Sequence, residues 1–167
     1  MPCPKATSGN STPLSQLPFD GDEQQVLRIA RMFFRSFAVP DSQAWIGGVG
    51  AALERFDHLA APHIYVATLG AVQSMRQARR SVFCFNDPCC EDCARSVTDS
   101  ERLFLGGLRA MRDQAPDRAA AFATILCEGN DCGPWLVALK TLAAQMPPRL
   151  APGKVELRPE AEVSWRR

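Results

Sequence analysis

Apolar residues recur at helical spacing along most of the chain, and proline, glycine and capping residues punctuate them. Val26, Ile29, Ala30, Phe33 and Phe37 predict a first helix from about Asp22 to Ala38. Asp20 and Glu23 have capping-box spacing at its start, and Pro40 ends the pattern. A second helix is expected from Asp41 or Ser42, with Trp45, Val49, Ala52, Leu53 and Phe56 on one side. Gly47, Gly48 and Gly50 inside it read as points of close helix–helix approach, and they permit a close homodimer as readily as an internal contact. The third helix, Pro62 to Arg80, is apolar around most of its circumference through Ile64, Ala67, Leu69, Ala71, Val72 and Met75, so it is expected to be central. Arg76, Arg79 and Arg80 fall in its last turn, where cations complement the helix dipole.

Beyond a cysteine-rich stretch, Thr98-Asp99-Ser100-Glu101 forms a capping box for a fourth helix to about Asp113, with Phe104, Leu108 and Met111 inward. Pro116 and Asp117 open a fifth helix carrying Ala119, Phe122, Ala123 and Leu126, which Gly129 stops. Gly133 and Pro134 open a sixth carrying Trp135, Leu139, Leu142, Ala143 and Met146, closed by Pro147 and Pro148. Ser81–Phe85 reads as briefly strand-like and Val155–Leu157 as a short strand, but no alternating run is long enough for a sheet. The expected fold is all-α: a single-domain bundle of about six helices over residues 21–147, with the cysteine-rich loop between the third and fourth. Residues 1–20, rich in Pro, Ser and Thr, read as a flexible N-terminal tail and 148–167 as an extended C-terminal tail.

A chain of 167 residues, 46% of them hydrophobic, can bury one proper core. Its net charge of +1 argues against a surface basic all round for polyanions. The N-terminus lacks the apolar region of a secretory signal. The most apolar window, Leu59–Met75, is interrupted by Pro62, His63, Thr68, Gln73 and Ser74, and reads as a buried helix rather than a membrane span. The expectation is a cytoplasmic protein, where thiols stay reduced and clustered cysteines point to metal or reactive thiols.

Those cysteines concentrate the chemistry. Of seven, Cys84, Cys89, Cys90 and Cys93 fall within ten residues, and Cys127 and Cys132 follow after a helical interval. Cys90-Glu91-Asp92-Cys93 has the spacing at which two sulfurs on a tight turn converge on one ion. Side chains of adjacent Cys89 and Cys90 diverge, so a tetrahedral zinc site would use Cys84, Cys90 and Cys93. Its fourth ligand would come from Cys89, Cys127, Cys132, His58 or His63. An iron–sulfur cluster is the weaker metal reading, because C-x4-C-x2-C begun at Cys84 needs a cysteine where Asp92 stands.

The alternative is a thiol-based redox sensor. It would use the Cys84–Cys93 cluster, or Cys132 at the start of the last helix with Cys127 as resolving partner. A small buried hydrophobe also explains Cys127 on its helix. A catalyst finds little support: there are two histidines, no P-loop, no GxSxG and no HExxH, and Glu91-Asp92 reads as solvating its loop. Gly48 to Leu53 lacks the third glycine and preceding strand of a dinucleotide loop. Arg28, Arg31 and Arg35 share a face of the first helix, read as solvated or as meeting phosphate or an acidic partner. With Arg76, Arg79 and Arg80 they carry a second alternative, a DNA-binding regulator, although the last helix offers only Lys140 and Gln145 as polar readers. The leading expectation is a regulatory or adaptor module with structural zinc and a protein partner. The acidic stretch Asp87–Glu101 would pair with the basic end of the third helix or present a docking surface.

Overall fold

A computed structural model describes residues 12–149. Residues 1–11 and 150–167, with the strand expected at Val155–Leu157, lie outside the described residues. Seven α-helices are present among the described residues: α1 (Gly21–Ala38), α2 (Trp45–Arg55), α3 (Ala60–Ala78), α4 (Glu91–Ala94), α5 (Asp99–Arg112), α6 (Pro116–Leu126) and α7 (Gly133–Gln145). The six longer ones are the six expected helices, and α4 is a single turn inside the cysteine loop. The all-α class holds. One β feature among the described residues was not expected: β1 (Thr12–Pro13) pairs antiparallel with β2 (Ser96–Val97), Thr12 opposite Val97. Residues 12–20, part of the stretch read as a tail, thereby meet the cysteine loop, and Leu14, Leu17 and Phe19 pack against the core.

Local chemistry explains the helix starts. Asp20 Oδ1 accepts the Glu23 N–H at 2.8 Å while Glu23 Oε2 accepts the Asp20 N–H at 3.0 Å. Thr98 and Glu101 repeat the arrangement at α5, at 3.1 and 2.9 Å. Each box satisfies two of the N–H groups that a helix start leaves without intrahelical partners. Asp57 accepts the N–H groups of Leu59 and Ala60, both at 2.9 Å, which starts α3 two residues before Pro62.

α1 packs on α2 and α3, α3 on α7, and α5 on both α6 and α7, giving one continuous core. Trp135, Phe104, Ile64, Met75 and Leu139 are fully buried in it. No described helix is long and apolar enough to cross a membrane. The expected inward side of α2 is corrected. Ala52 and Phe56 are buried, but Trp45, Val49 and Leu53 are 47%, 40% and 44% exposed. The domain-facing side is the small one, Gly48, Ala51 and Ala52, because it allows α2 to lie close to Met32 and Tyr65.

Close packing recurs on α5, at glycines the sequence pattern did not single out. A Cβ on Gly107 would stand 2.7 Å from the Trp135 ring, and one on Gly106 2.7 Å from Phe122. Gly107→Ala is therefore expected to destabilise the fold by about 1–3 kcal/mol through overpacking, outweighing a helix-propensity gain of up to ~1 kcal/mol. Urea unfolding checks this; a variant more stable than the parent would mean that the Trp135 contact yields.

Candidate functional site: the cysteine loop

The loop between α3 and α5 is held at both ends by a buried ion pair. Arg31 of α1 and Glu101 of α5 have side chains 4% and 0% exposed, and they meet as a fork, Nε to Oε1 at 2.6 Å and Nη2 to Oε2 at 2.9 Å. Arg31 also donates to the carbonyls of Ala94 at 2.9 Å and Ser96 at 2.6 Å, on the loop's exit. Glu101 accepts the Asn86 N–H at 3.0 Å, on its entry. Asn86 Nδ2 then donates to the Ser96 carbonyl at 2.8 Å and to its hydroxyl at 3.0 Å. The Thr98 hydroxyl donates to the Cys84 carbonyl at 2.8 Å. Two distant helices thus fix a loop with little regular structure of its own.

For Arg31 this anchorage corrects the reading of the α1 arginines as a solvated or phosphate-facing stripe, whereas Arg28, with a side chain 47% exposed, stays at the solvated surface. Arg28 pairs with Glu54, Arg31 with Glu101 and Arg35 with Asp87. The acidic loop does not pair with the end of α3 either. Asp87 is met by Arg35, Glu91 and Asp92 by Arg95 of the loop itself, and Glu101 by Arg31. At the end of α3, Arg76 lies over the Phe37 ring at 3.9 Å and Arg79 pairs with Glu128 at 3.2 Å.

The loop entry, Ser81–Phe85, forms no strand. Phe83 stacks on Phe34 with centroids 4.3 Å apart, and Phe85 lies 5.5 Å from the same ring. Cys84 between them is exposed. The chain then turns at Asp87. Its carbonyl accepts the Cys90 N–H at 3.2 Å, and its carboxylate accepts the Cys89 N–H at 2.9 Å. Cys89 is exposed, whereas Cys90 and Cys93 are half-buried and belong to one turn. The Cys93 thiol and its backbone N–H both hydrogen-bond Cys90, and the Asp92 N–H is a further donor. Together these hold the Cys90 thiol below its ordinary pKa, against the opposing effects of burial and of the Asp92 carboxylate. Hydrogen bonds to a thiolate favour it over the thiol.

Cys127 and Cys132 lie at the turn between α6 and α7. Cys127 ends α6 with no exposed surface, and burial, helped by its neighbour Cys132, pushes its thiol up to about 11. It is a core thiol, protonated at neutral pH. Cys132 is half-buried at the start of α7. Between them Glu128 takes a left-handed backbone (φ 59°), and its carboxylate accepts the Ser81 hydroxyl and the N–H groups of Arg80 and Ser81. These bonds, with Arg79 nearby, hold Glu128 at about 2. The Cys127–Cys132 turn therefore buttresses the start of the loop entry.

His58 and His63 are exposed, between α2 and α3 and in the first turn of α3. Among the described residues, no three His, Cys, Asp or Glu side chains converge closely enough to hold a metal ion. What the loop brings together is one pair, Cys90 and Cys93. Compared with known protein families, characterised proteins and solved structures, the chain matches none.

Proposed function

We propose that the protein is a thiol-based redox sensor whose working pair is Cys90 and Cys93. The observation that carries this reading is the placing of half-buried Cys90 and Cys93 on one turn of the loop, where hydrogen bonding from Cys93 favours the Cys90 thiolate. Toward a peroxide, the Cys90 thiolate attacks the O–O bond, giving Cys90 sulfenic acid and releasing hydroxide, which takes a proton to leave as water. The Cys93 sulfur then attacks the sulfenic sulfur, forming a disulfide and expelling the second oxygen as water. The pair loses two electrons and the peroxide gains them. The turn that reorganises ends at Ala94, whose carbonyl is held by Arg31. The pair therefore lies one residue from a contact of the buried ion pair, which is the route by which its oxidation state would reach the rest of the loop and a protein partner.

Structural zinc in an adaptor module is the second reading, favoured by the Cys90–Cys93 spacing. It asks for two further donors. Exposed Cys84 and Cys89 are the nearest in sequence, but they do not join the pair in a set of three. The alkylation profile separates the two thiols from the rest. At mildly acidic pH, Cys90 is expected to react with iodoacetamide ahead of Cys84 and Cys89, with Cys127 last. Cys93→Ala should move the Cys90 pH profile upward, toward an ordinary thiol value of ~8.5. An unchanged Cys90 profile in that variant would remove the basis of the reading.

A further inference from the structure

A cavity of about 250 Å³ lies where the end of α1, the end of α3 and the loop entry meet. Phe34 and Phe37 of α1 and Phe83 and Phe85 of the loop entry line it, together with Arg76 and Arg79. No aspartate or glutamate is among its lining residues. The two guanidiniums differ in what the domain gives them. Arg79, its side chain 9% exposed, donates to the Leu126 carbonyl and to the Ser81 hydroxyl at 2.9 Å, and pairs with Glu128 at 3.2 Å. Its Nε is nonetheless buried with no hydrogen-bond partner among the described residues. Arg76 is exposed, lies over the Phe37 ring at 3.9 Å and donates to Gln73 at 2.8 Å. It meets no carboxylate among the described residues. With Glu128 balancing Arg79, the cavity keeps one positive charge, that of Arg76.

We infer that this cavity binds a small aromatic monocarboxylate. The ring lies among the four phenylalanines, where offset and edge-to-face contacts add to the burial of apolar surface. The carboxylate takes the uncompensated charge of Arg76 in a charge-assisted hydrogen bond, while the guanidinium keeps its place over Phe37. It also supplies an acceptor to Arg79, three residues on at the end of the same helix, whose buried Nε has none within the domain. The charge balance selects the class of ligand. A neutral ring leaves both arginines as they are, and a dianion such as a phosphate monoester leaves one negative charge uncompensated beside apolar walls. The volume falls just below the ~300–1,000 Å³ of pockets for drug-sized molecules, which suits a ligand of one or two rings. No cysteine lines the cavity, so the inference stands apart from the thiol reading.

Amide chemical-shift titration of the full chain with cinnamate, benzoate and the neutral cinnamamide tests this. Cinnamate is expected to bind with a dissociation constant on the order of 1 mM, shifting amides of residues 76–85, and cinnamamide about fivefold more weakly. Arg76→Gln, at an exposed position, should weaken cinnamate about fivefold and leave cinnamamide unchanged. Ala38→Trp, which fills the cavity from another exposed lining position, should weaken both by at least about tenfold. The inference is overturned if neither cinnamate nor benzoate binds below about 20 mM, or if Arg76→Gln binds cinnamate as tightly as the parent chain.

Discussion

Arg31→Met is expected to cost about 3–5 kcal/mol of stability, the range for removing one partner of a buried ion pair. That is a large share of the roughly 5–15 kcal/mol that holds a domain together. The geometry places it at the upper end. Arg31 is 3% exposed and gives the fork to Glu101 as well as the bonds to Ala94 and Ser96, so methionine leaves a fully buried carboxylate and two loop carbonyls short of donors. Replacing both partners with apolar groups is no rescue here. Glu101 also accepts the N–H groups of Thr98 and Asn86, which would then be orphaned. Urea unfolding measures the loss, and hydrogen exchange should show residues 84–97 opening first. A loss below about 1 kcal/mol would mean that the pair is not what anchors the loop.

Trp135→Ala carries a comparable expected cost, about 3–5 kcal/mol, as a large core aromatic replaced by a methyl group. The ring is fully buried, lies 5.9 Å from Phe104, and fills the space that Gly107 leaves open. Trp135→Phe should be much milder, and milder than a comparison of ring volumes implies. Among the described residues the buried indole N–H has no hydrogen-bond partner, so phenylalanine removes an unsatisfied donor together with the lost contacts. Thermal unfolding of the two variants makes the comparison. A Trp135→Phe loss as large as the change in ring volume implies would mean that the N–H has a partner in solution, such as a bound water.

The helices were legible because their signals are local. Asp20 and Glu23, and Thr98 and Glu101, are three residues apart, and the capping boxes they predict are the ones formed. Periodicity also found the apolar side of α2, but it cannot tell which side a neighbour covers. In α2 the small side of Gly48, Ala51 and Ala52 took that place. The loop's anchorage was hidden for a related reason. Glu101 looked fully explained by its capping box, and its second partner, Arg31, lies seventy residues away on a helix whose arginines resembled a solvated stripe. The CxxC pair was visible as spacing, because one turn brings its ends together. A third donor from a distant segment is a tertiary property that spacing does not encode, and the described residues supply none.

The proposed function requires Cys90 and Cys93 to act as one dithiol. The direct measurement is disulfide mapping by mass spectrometry of fully reduced, full-length protein after brief exposure to stoichiometric peroxide, with zinc measured on the same sample before oxidation. The expected result is an intramolecular Cys90–Cys93 disulfide, reversed by dithiothreitol, with Cys127 still a thiol and zinc well below one per chain. Stoichiometric zinc with those cysteines protected, or oxidation that leaves Cys90 and Cys93 unlinked, would contradict it.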